Sequence, residues 1–383
     1  MRSGRKQLLW KIDGHLLPWV VLMYLTNFLD RNALAKAHLG SLEADLHLKG
    51  TDFNTIISIL FIGYILLCLC GMMAIWGMIS ACQAATHSYV GELMCPLFLG
   101  AAEAPFFSWC IFLMSSWYRA HELAHRLAIF YTGVALANMF GRLIAASILA
   151  NLNPAHGIAE WRWLFIIEGT ATCAQDVQGE QDDRDAITWK QALKLAYSDY
   201  RLYLFMIMHH YNLLAQSFTY FFPTIVKSLG YNSTTTFLLT VSVWFATLIA
   251  TLLVAYHSSA TSERSIHIAC CMAVGAIGNI LVVTTHGMIL AWITSLFPRP
   301  LGKRAVVVAT CGMFGNAAGI YGSYMYPPSN GPQYVPAGVG LACVCFLCAG
   351  MAMVIRCVLG RENKKLAAKE QEEGLPKRFR YIL

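Results

Sequence analysis

The feature that most constrains this chain is how far it runs without a charge. No Asp, Glu, Lys or Arg occurs between Asp52 and Glu92, and none between Arg264 and Arg299. A soluble domain does not tolerate such runs, because about a quarter of its residues are charged and they keep its surface wet. Here charged residues make up 13% and hydrophobic residues 57% of 383 residues. The same composition excludes a disordered, collagen-like or coiled-coil chain. It leaves an all-α integral membrane protein, with the lipid bilayer as its main partner.

A spanning helix needs about 20 mainly apolar residues. Stretches of this kind cover residues 16–35, 93–117, 127–150, 202–223, 237–257, 305–326 and 335–355. Basic residues gather between them: Arg2, Arg5, Lys6 and Lys11 at the start; Arg119 and Arg126; Arg184, Lys190, Lys194 and Arg201; Arg299, Lys303 and Arg304; and a basic tail from Arg356 to Arg380. The intervening loops 37–53, 151–160, 224–236 and 327–334 hold only Lys49 and Lys227. The positive-inside rule puts the first set, with both termini, in the cytoplasm and the second set outside. The basic start leads into an anchor, with no small-residue cleavage site. Parity then requires two crossings in 53–91, hinged near Gly71, two in 265–298 and one in 161–174, which makes twelve in total. At about 20 residues each, only nine to eleven fit comfortably.

The long polar stretch 175–201 divides an N-terminal half, 1–174, from a C-terminal half, 202–358, followed by a tail, 359–383. Residues 188–195 are expected to form an amphipathic helix on the membrane surface. Two helical halves joined by a polar linker is the plan of a secondary transporter.

Charges inside spans are costly and normally face a polar cavity or a partner. Glu103 and Arg142 fall near the middle of their spans and are expected to line a substrate or proton path, or else to pair with each other. Asn138, Asn316, Tyr64 and Tyr131 are positioned to add neutral hydrogen bonds. Asp30, Arg31, Arg119, Arg126, Glu168, Lys303 and Arg304 lie nearer span ends and read as gating or structural charges. Small residues recur at Gly133, Ala137 and Gly141, and again at Gly312, Gly315, Gly319 and Gly322, allowing helices to approach closely. Asn232-Ser233-Thr234 is a glycosylation sequon in a loop assigned to the outside.

Other motifs carry less. His121-Glu122-Leu123-Ala124-His125 matches H-E-x-x-H, but it lies in a short turn beside two arginines and has no third ligand, so no metal is expected. His209-His210 and the scattered histidines form no repeated boxes and read as interfacial. Cysteines such as Cys68, Cys70, Cys270 and Cys271 sit in apolar runs, with no paired CxxC spacing, and no disulfide or zinc framework is indicated. No cofactor and no nucleic-acid partner is expected, and a monomer is the default.

Several segments together carry a family likeness. Leu17-Pro18-Trp19, Leu29-Asp30-Arg31-Asn32, Phe61-Ile62-Gly63-Tyr64, residues 100–107 (GAAEAPFF), Trp117-Tyr118-Arg119, residues 161–169 (WRWLFIIEG) and residues 297–305 (FPRPLGKRA) resemble the fungal allantoate permease-like, anion:cation symporter branch of the major facilitator superfamily. That resemblance implies twelve helices in two six-helix halves at the plasma membrane, and proton-coupled movement of a small organic anion or metabolite. It also gives H-E-x-x-H a bland origin in a cytoplasmic turn. The chain departs from the pattern in lacking the basic loop after the second helix, in Pro96 standing where the fourth helix opens with a basic residue, and in its shortened sixth and tenth helices. An internally shortened member is expected, with Glu103 as the coupling carboxylate and Arg142 as the anion contact. The alternatives are an exporter, a shortened homologue that no longer transports, and, remotely, a zinc hydrolase using His121, Glu122 and His125.

Overall fold

The computed structural model describes residues 2–66, 73–118, 120–151, 159–173, 189–261, 263–278, 282–297, 300–331, 334–372 and 380–382. Within them regular structure is helical, with no strand. The helices are α1 (Arg2–Ala37), α2 (Leu42–Asp45), α3 (Asp52–Leu66), α4 (Met73–Gln83), α5 (Tyr89–Trp117), α6 (Ala120–Asn151), α7 (Glu160–Cys173), α8 (Trp189–Tyr197), α9 (Tyr200–Gln216), α10 (Phe218–Lys227), α11 (Ser233–Thr261), α12 (Ser265–Gly278), α13 (Val282–Leu296), α14 (Leu301–Asn316), α15 (Ala318–Gly322) and α16 (Val335–Glu372).

The helix ends follow local chemistry. The Ser88 hydroxyl accepts from Gly91 N–H at the start of α5, and Asp199 caps α9 by accepting from Arg201 N–H. Asn232 does the same for α11 through Thr235 N–H. Gly230, at φ +93°, ends α10 in the left-handed region that glycine enters without strain. Helices α11 and α16 expose Leu238, Phe245, Leu253, Val339, Phe346 and Val354, an outward apolar face that only lipid covers favourably. Ile129–Ile148, Ser233–Thr261, Gly302–Met325 and Val335–Glu370 are long and apolar enough to cross a bilayer. The chain is a multi-pass membrane protein.

Loops sort to two ends. At the end far from the N-terminus, here called distal, Trp161 donates to Asp45 (2.6 Å), Arg162 to the Thr86 carbonyl (2.7 Å) and Lys227 to the Leu39 carbonyl (2.9 Å). At the proximal end Asp13 receives Arg126, Asp199 receives Lys303, and Glu263 receives Arg356. The described loops thus divide as the charge rule groups them. Leaving out the short α2 and α8 and counting α9–α10 and α14–α15 as one each, the described residues hold twelve helical segments, against the nine to eleven expected to fit. The stretches 53–91, 161–174 and 265–298 supply α3 with α4, α7, and α12 with α13. The 14 described residues of α7 and of α12 rise about 21 Å, against about 30 Å of hydrocarbon. Gly71, Arg119, Arg184 and Arg299, with most of the linker, lie outside the described residues.

In the N-terminal half α1 packs on α6 and α7, α3 on α5, and α4 on α7. In the C-terminal half α9 packs on α14 and α16, and α12 on α16. The seam between halves is formed by α6 against α11 and α13, α5 against α14, and α3 against α15. Helix α8, expected at the membrane surface, buries Ala192 and Ala196 and packs against α14.

Candidate functional site

Along the seam lies a cavity in two adjoining chambers that share Phe28, Arg31, Val134, Leu213, Gln216 and Asn316. The distal chamber adds Asn138, Ser217, Tyr220, Trp244 and Gly319, and the central chamber adds Asn27, Tyr131, His209 and His286. Arg31 is the one Lys, Arg, Asp or Glu among the described lining residues. Beside the cavity α9 passes into α10 at Ser217 and α14 into α15 at Ala317, both residues keeping right-handed helical dihedrals, so that each pair runs on as a nearly continuous helix.

Arg31 donates through Nε to Glu103 Oε2 at 3.1 Å, with both side chains nearly withdrawn from solvent (9% and 0% exposed). Its guanidinium also lies over the Phe28 and Phe61 rings, at 5.8 and 6.0 Å. Glu103 Oε1 has no hydrogen-bond partner among the described residues. A buried carboxylate with a single cationic partner is poised to exchange either that partner or a proton.

The remaining expected residues fall in three places. Asn138, Asn316 and Tyr131 line the cavity, and the two amides donate back to Val134 and Gly312 carbonyls of their own helices. Arg142 is buried at the α6–α11 contact, where Nη1 donates to Thr240 Oγ1 (3.3 Å) and the guanidinium sits 5.7 Å from the Trp244 ring. It does not meet Glu103, and it is not itself a lining residue, although the Trp244 ring that it sits against lines the distal chamber. Asp30 accepts from Ser80 (2.9 Å) and Thr172 (2.6 Å), and Glu168 pairs with Lys36, so that α1, α4 and α7 are joined by a buried polar cluster. The side chains of Tyr64, His121, Glu122 and His125, and all of Arg119, lie outside the described residues.

Arg126 is held bidentately by Asp13 at 2.7 and 2.6 Å, and Arg304 donates to the Phe297 carbonyl. Lys303 (2.8 Å) and Arg201 (2.8 and 2.7 Å) converge on Asp199. Burial opposes ionisation of Asp199, but hydrogen bonds from Arg201 and Lys303 outweigh it and hold the carboxyl at about 2. Asn232 is exposed at the distal end.

His209 and His286, read from the sequence as interfacial, instead line the central chamber, and His209 is 1% exposed. One signal was available: His209, Asn212 and Gln216 follow i, i+3, i+7 spacing and share a face of α9. Lys36, Asn27 and Trp244 were also missed, the last two because apolar runs with single polar residues give no hint of which face meets a neighbour.

The halves are latched distally. Asn54 Nδ2 donates to the Ser323 carbonyl (2.6 Å) and Ser58 Oγ to the Ile320 carbonyl (2.6 Å), while Thr55 and Tyr324 hydroxyls meet at 2.9 Å. Lys227 and Ser233 both donate to the Leu39 carbonyl, each at 2.9 Å. The proximal ion pairs described above each stay within one half.

The architecture is shared with solved carriers. The structure of the proton:xylose symporter XylE superposes with a TM-score of 0.65 at 12% identity, covering 90% of this chain and 95% of that one. The human organic anion transporter MFSD10 superposes with a TM-score of 0.55 at 13% identity over 88% and 97%. The chain therefore has the major facilitator fold. In sequence it is similar to the MFS-type transporter efuF of Hormonema carpetanum, 28% identical over 87% of this chain and 83% of that protein. It is also similar to the major facilitator-type transporter hxnP of Emericella nidulans, 26% identical over 97% and 88%. The pantothenate transporter liz1 of Schizosaccharomyces pombe is 29% identical over 47% of this chain and 38% of its own length. No family model matches the chain. The alignments to efuF and hxnP run to 410 and 448 positions, longer than the 383 residues available, so both relatives carry residues that this chain lacks.

Proposed function

We propose that the protein is a secondary transporter that moves a small organic anion together with a proton, through alternating exposure of the seam cavity. One observation carries this reading: the cavity's charged lining residue, Arg31, is bonded to a buried carboxylate, Glu103. When Glu103 is ionised it occupies Arg31. When it is protonated, its charge no longer competes for Arg31, and a substrate carboxylate takes its place at the cost of one bound proton. Binding of anion and proton are then linked, as coupling requires. The role of anion contact passes from Arg142 to Arg31, because Arg31 reaches the cavity while Arg142 sits on the α6–α11 contact. The latter position suits a residue that steadies the halves as they rock.

The pantothenate transporter among the relatives supports an organic anion as cargo. The long alignments support an internally shortened chain that retains the seam cavity, and the family likeness of its sequence segments is the basis for the allantoate permease-like branch. Plasma membrane is the proposed address, with the proximal end cytoplasmic and Asn232 glycosylated outside. A monomer suffices, since both walls of the cavity come from one chain.

The test is uptake into proteoliposomes under an imposed proton gradient, screened across organic anions. An anion that accumulates with the gradient and stops when the gradient is dissipated supports the reading. Glu103→Gln should lose accumulation while retaining one-for-one exchange of the same anion. Flat uptake across the panel, or gradient-driven accumulation by Glu103→Gln, refutes it.

A further inference from the structure

A second buried carboxylate, away from the seam, has no part in the reading above. Glu92 lies in the first turn of α5 at the distal end, one residue ahead of the apolar stretch 93–117, and is 0% exposed. Two neutral groups hold it: Gln83 Nε2 donates to Oε1 and Thr86 Oγ1 to Oε2, each at 2.6 Å. No cation among the described residues bonds it. Arg162 of α7, whose charge reaches it, spends its guanidinium elsewhere. It donates to the Ala84 and Thr86 carbonyls (2.8 and 2.7 Å) and lies 2.9 Å from His87 Nδ1. Those contacts tie the α4–α5 turn to α7.

The hydrogens around Glu92 are too few for the acceptors. The Thr86 hydroxyl has one hydrogen and two oxygens in reach, Glu92 Oε2 and the Gln83 carbonyl at 2.9 Å. Gln83 Oε1, also buried, has no donor among the described residues. A protonated Glu92 gives its hydrogen to Thr86 Oγ1 and frees the Thr86 hydrogen for the Gln83 carbonyl, so that both bonds are made. Burial without a bonded cation favours the same form. It outweighs the Thr86 and Gln83 hydrogen bonds and the Arg162 charge, and raises the carboxyl to about 7. The other titratable neighbours are thiols: Cys95 on α5 faces both Glu92 and Cys82 of α4. No described group of α3, which packs along α5, acts on it.

We infer that Glu92 is a second proton site, reached from the distal end and separate from the seam cavity, whose occupancy holds the α4–α5 turn closed on α7. With the proton bound, Glu92, Thr86 and Gln83 form one bonded cluster beneath the turn. When the proton leaves to distal water, a buried charge remains, and two moves relieve it. The first turn of α5 swings out to water, or Arg162 turns to the carboxylate and releases the Ala84 and Thr86 carbonyls. Either loosens the turn. This is independent of the anion reading, because Glu92 is not among the described lining residues of either chamber.

The experiment uses the full-length protein in nanodiscs. It reads amide hydrogen exchange over residues 84–91 in wild type and in Glu92→Gln, which keeps the size and mimics the protonated form, at matched pH values on both sides of 7. An opened turn restores an ordinary carboxyl near 4.3. The closed turn binds the proton more tightly, so its stabilising effect is full below about pH 4 and lost as pH rises to about 7. Exchange in the two proteins should therefore coincide near pH 4, and above pH 7 the wild type should exchange about ten- to a hundred-fold faster than Glu92→Gln. Arg162→Gln, which removes the cation that favours the carboxylate, should move the transition to higher pH, and it keeps the test open if Glu92→Gln does not fold. Equal exchange in wild type and Glu92→Gln across the range overturns the site, as does a difference that does not vary with pH. A transition that Arg162→Gln leaves in place or moves to lower pH overturns it too.

Discussion

Gly319 sits where the halves touch, and it offers a way to bias their equilibrium. A methyl group added there would fall 2.4 to 2.5 Å from three atoms of the Phe61 ring, about an ångström inside normal carbon contact. Phe61 belongs to α3 and Gly319 to α15, on opposite sides of the seam, so opening of the distal latch is expected to relieve the overlap. Overpacking of this kind costs about 1–3 kcal/mol. Applied to one of two states, it shifts their ratio by about 5- to 150-fold. Spin labels at Thr51 and Leu229, exposed distal positions on opposite halves, report the separation by pulsed dipolar spectroscopy. Gly319→Ala should move the distance distribution toward longer values and slow net transport. Gly338→Ala, whose methyl group meets nothing within 4 Å, should leave it in place. Restoration of the wild-type distribution by Phe61→Ala in the Gly319→Ala background would tie the shift to this contact. An unchanged distribution in Gly319→Ala, with unchanged thermal stability, would refute the rocking-halves reasoning.

Further expectations follow from the charges. Arg31→Gln should abolish anion binding in titration, whereas Arg142→Gln should retain it and slow the transport cycle; the reverse pattern would return the anion contact to Arg142. Breaking the buried Lys36–Glu168 pair with Lys36→Met should destabilise the protein by about 3–5 kcal/mol, because it strands a carboxylate, while Lys36→Met combined with Glu168→Gln should recover much of that loss in melting temperature. Asp199 is ionised more readily in the folded protein, at about 2, than in an unfolded chain, at about 3.9. Its contribution is therefore present above pH 4 and lost as pH falls from 4 to 2. After allowance for solvent screening this amounts to about 1 kcal/mol. A wild-type melting curve that drops over this range more than that of Asp199→Asn would bear this out, and parallel curves would contradict it.

Architecture was legible in the sequence because lipid imposes simple rules. Arg126, Arg201, Lys303 and Arg356 all fall at one end, and parity located α7, α12 and α13 where apolar length alone was marginal. Glu103 is buried, in keeping with its place inside an apolar run. Its partner was not legible. Sequence spacing fixes a residue's depth in its own helix and leaves open which neighbour that face meets, so Arg142, at matching depth, was expected as the partner and Arg31 was read as a gating charge. The packing of α1, α5 and α6 decides between them. His209 and His286 were misplaced because a lone histidine reads the same at an interface and in a cavity. The i, i+3, i+7 stripe on α9 was the signal that separated the two.

Alternating exposure of the seam cavity can be tested at Asn138, which lines the distal chamber from α6. Asn138→Cys in a background with the native cysteines replaced is treated with a membrane-impermeant thiol reagent, applied to one face of the membrane at a time. The account predicts modification from each face in separate experiments, slowed by the transported anion. Modification from neither face, or from one face only under every condition of pH and substrate, would show a static helical bundle and contradict it.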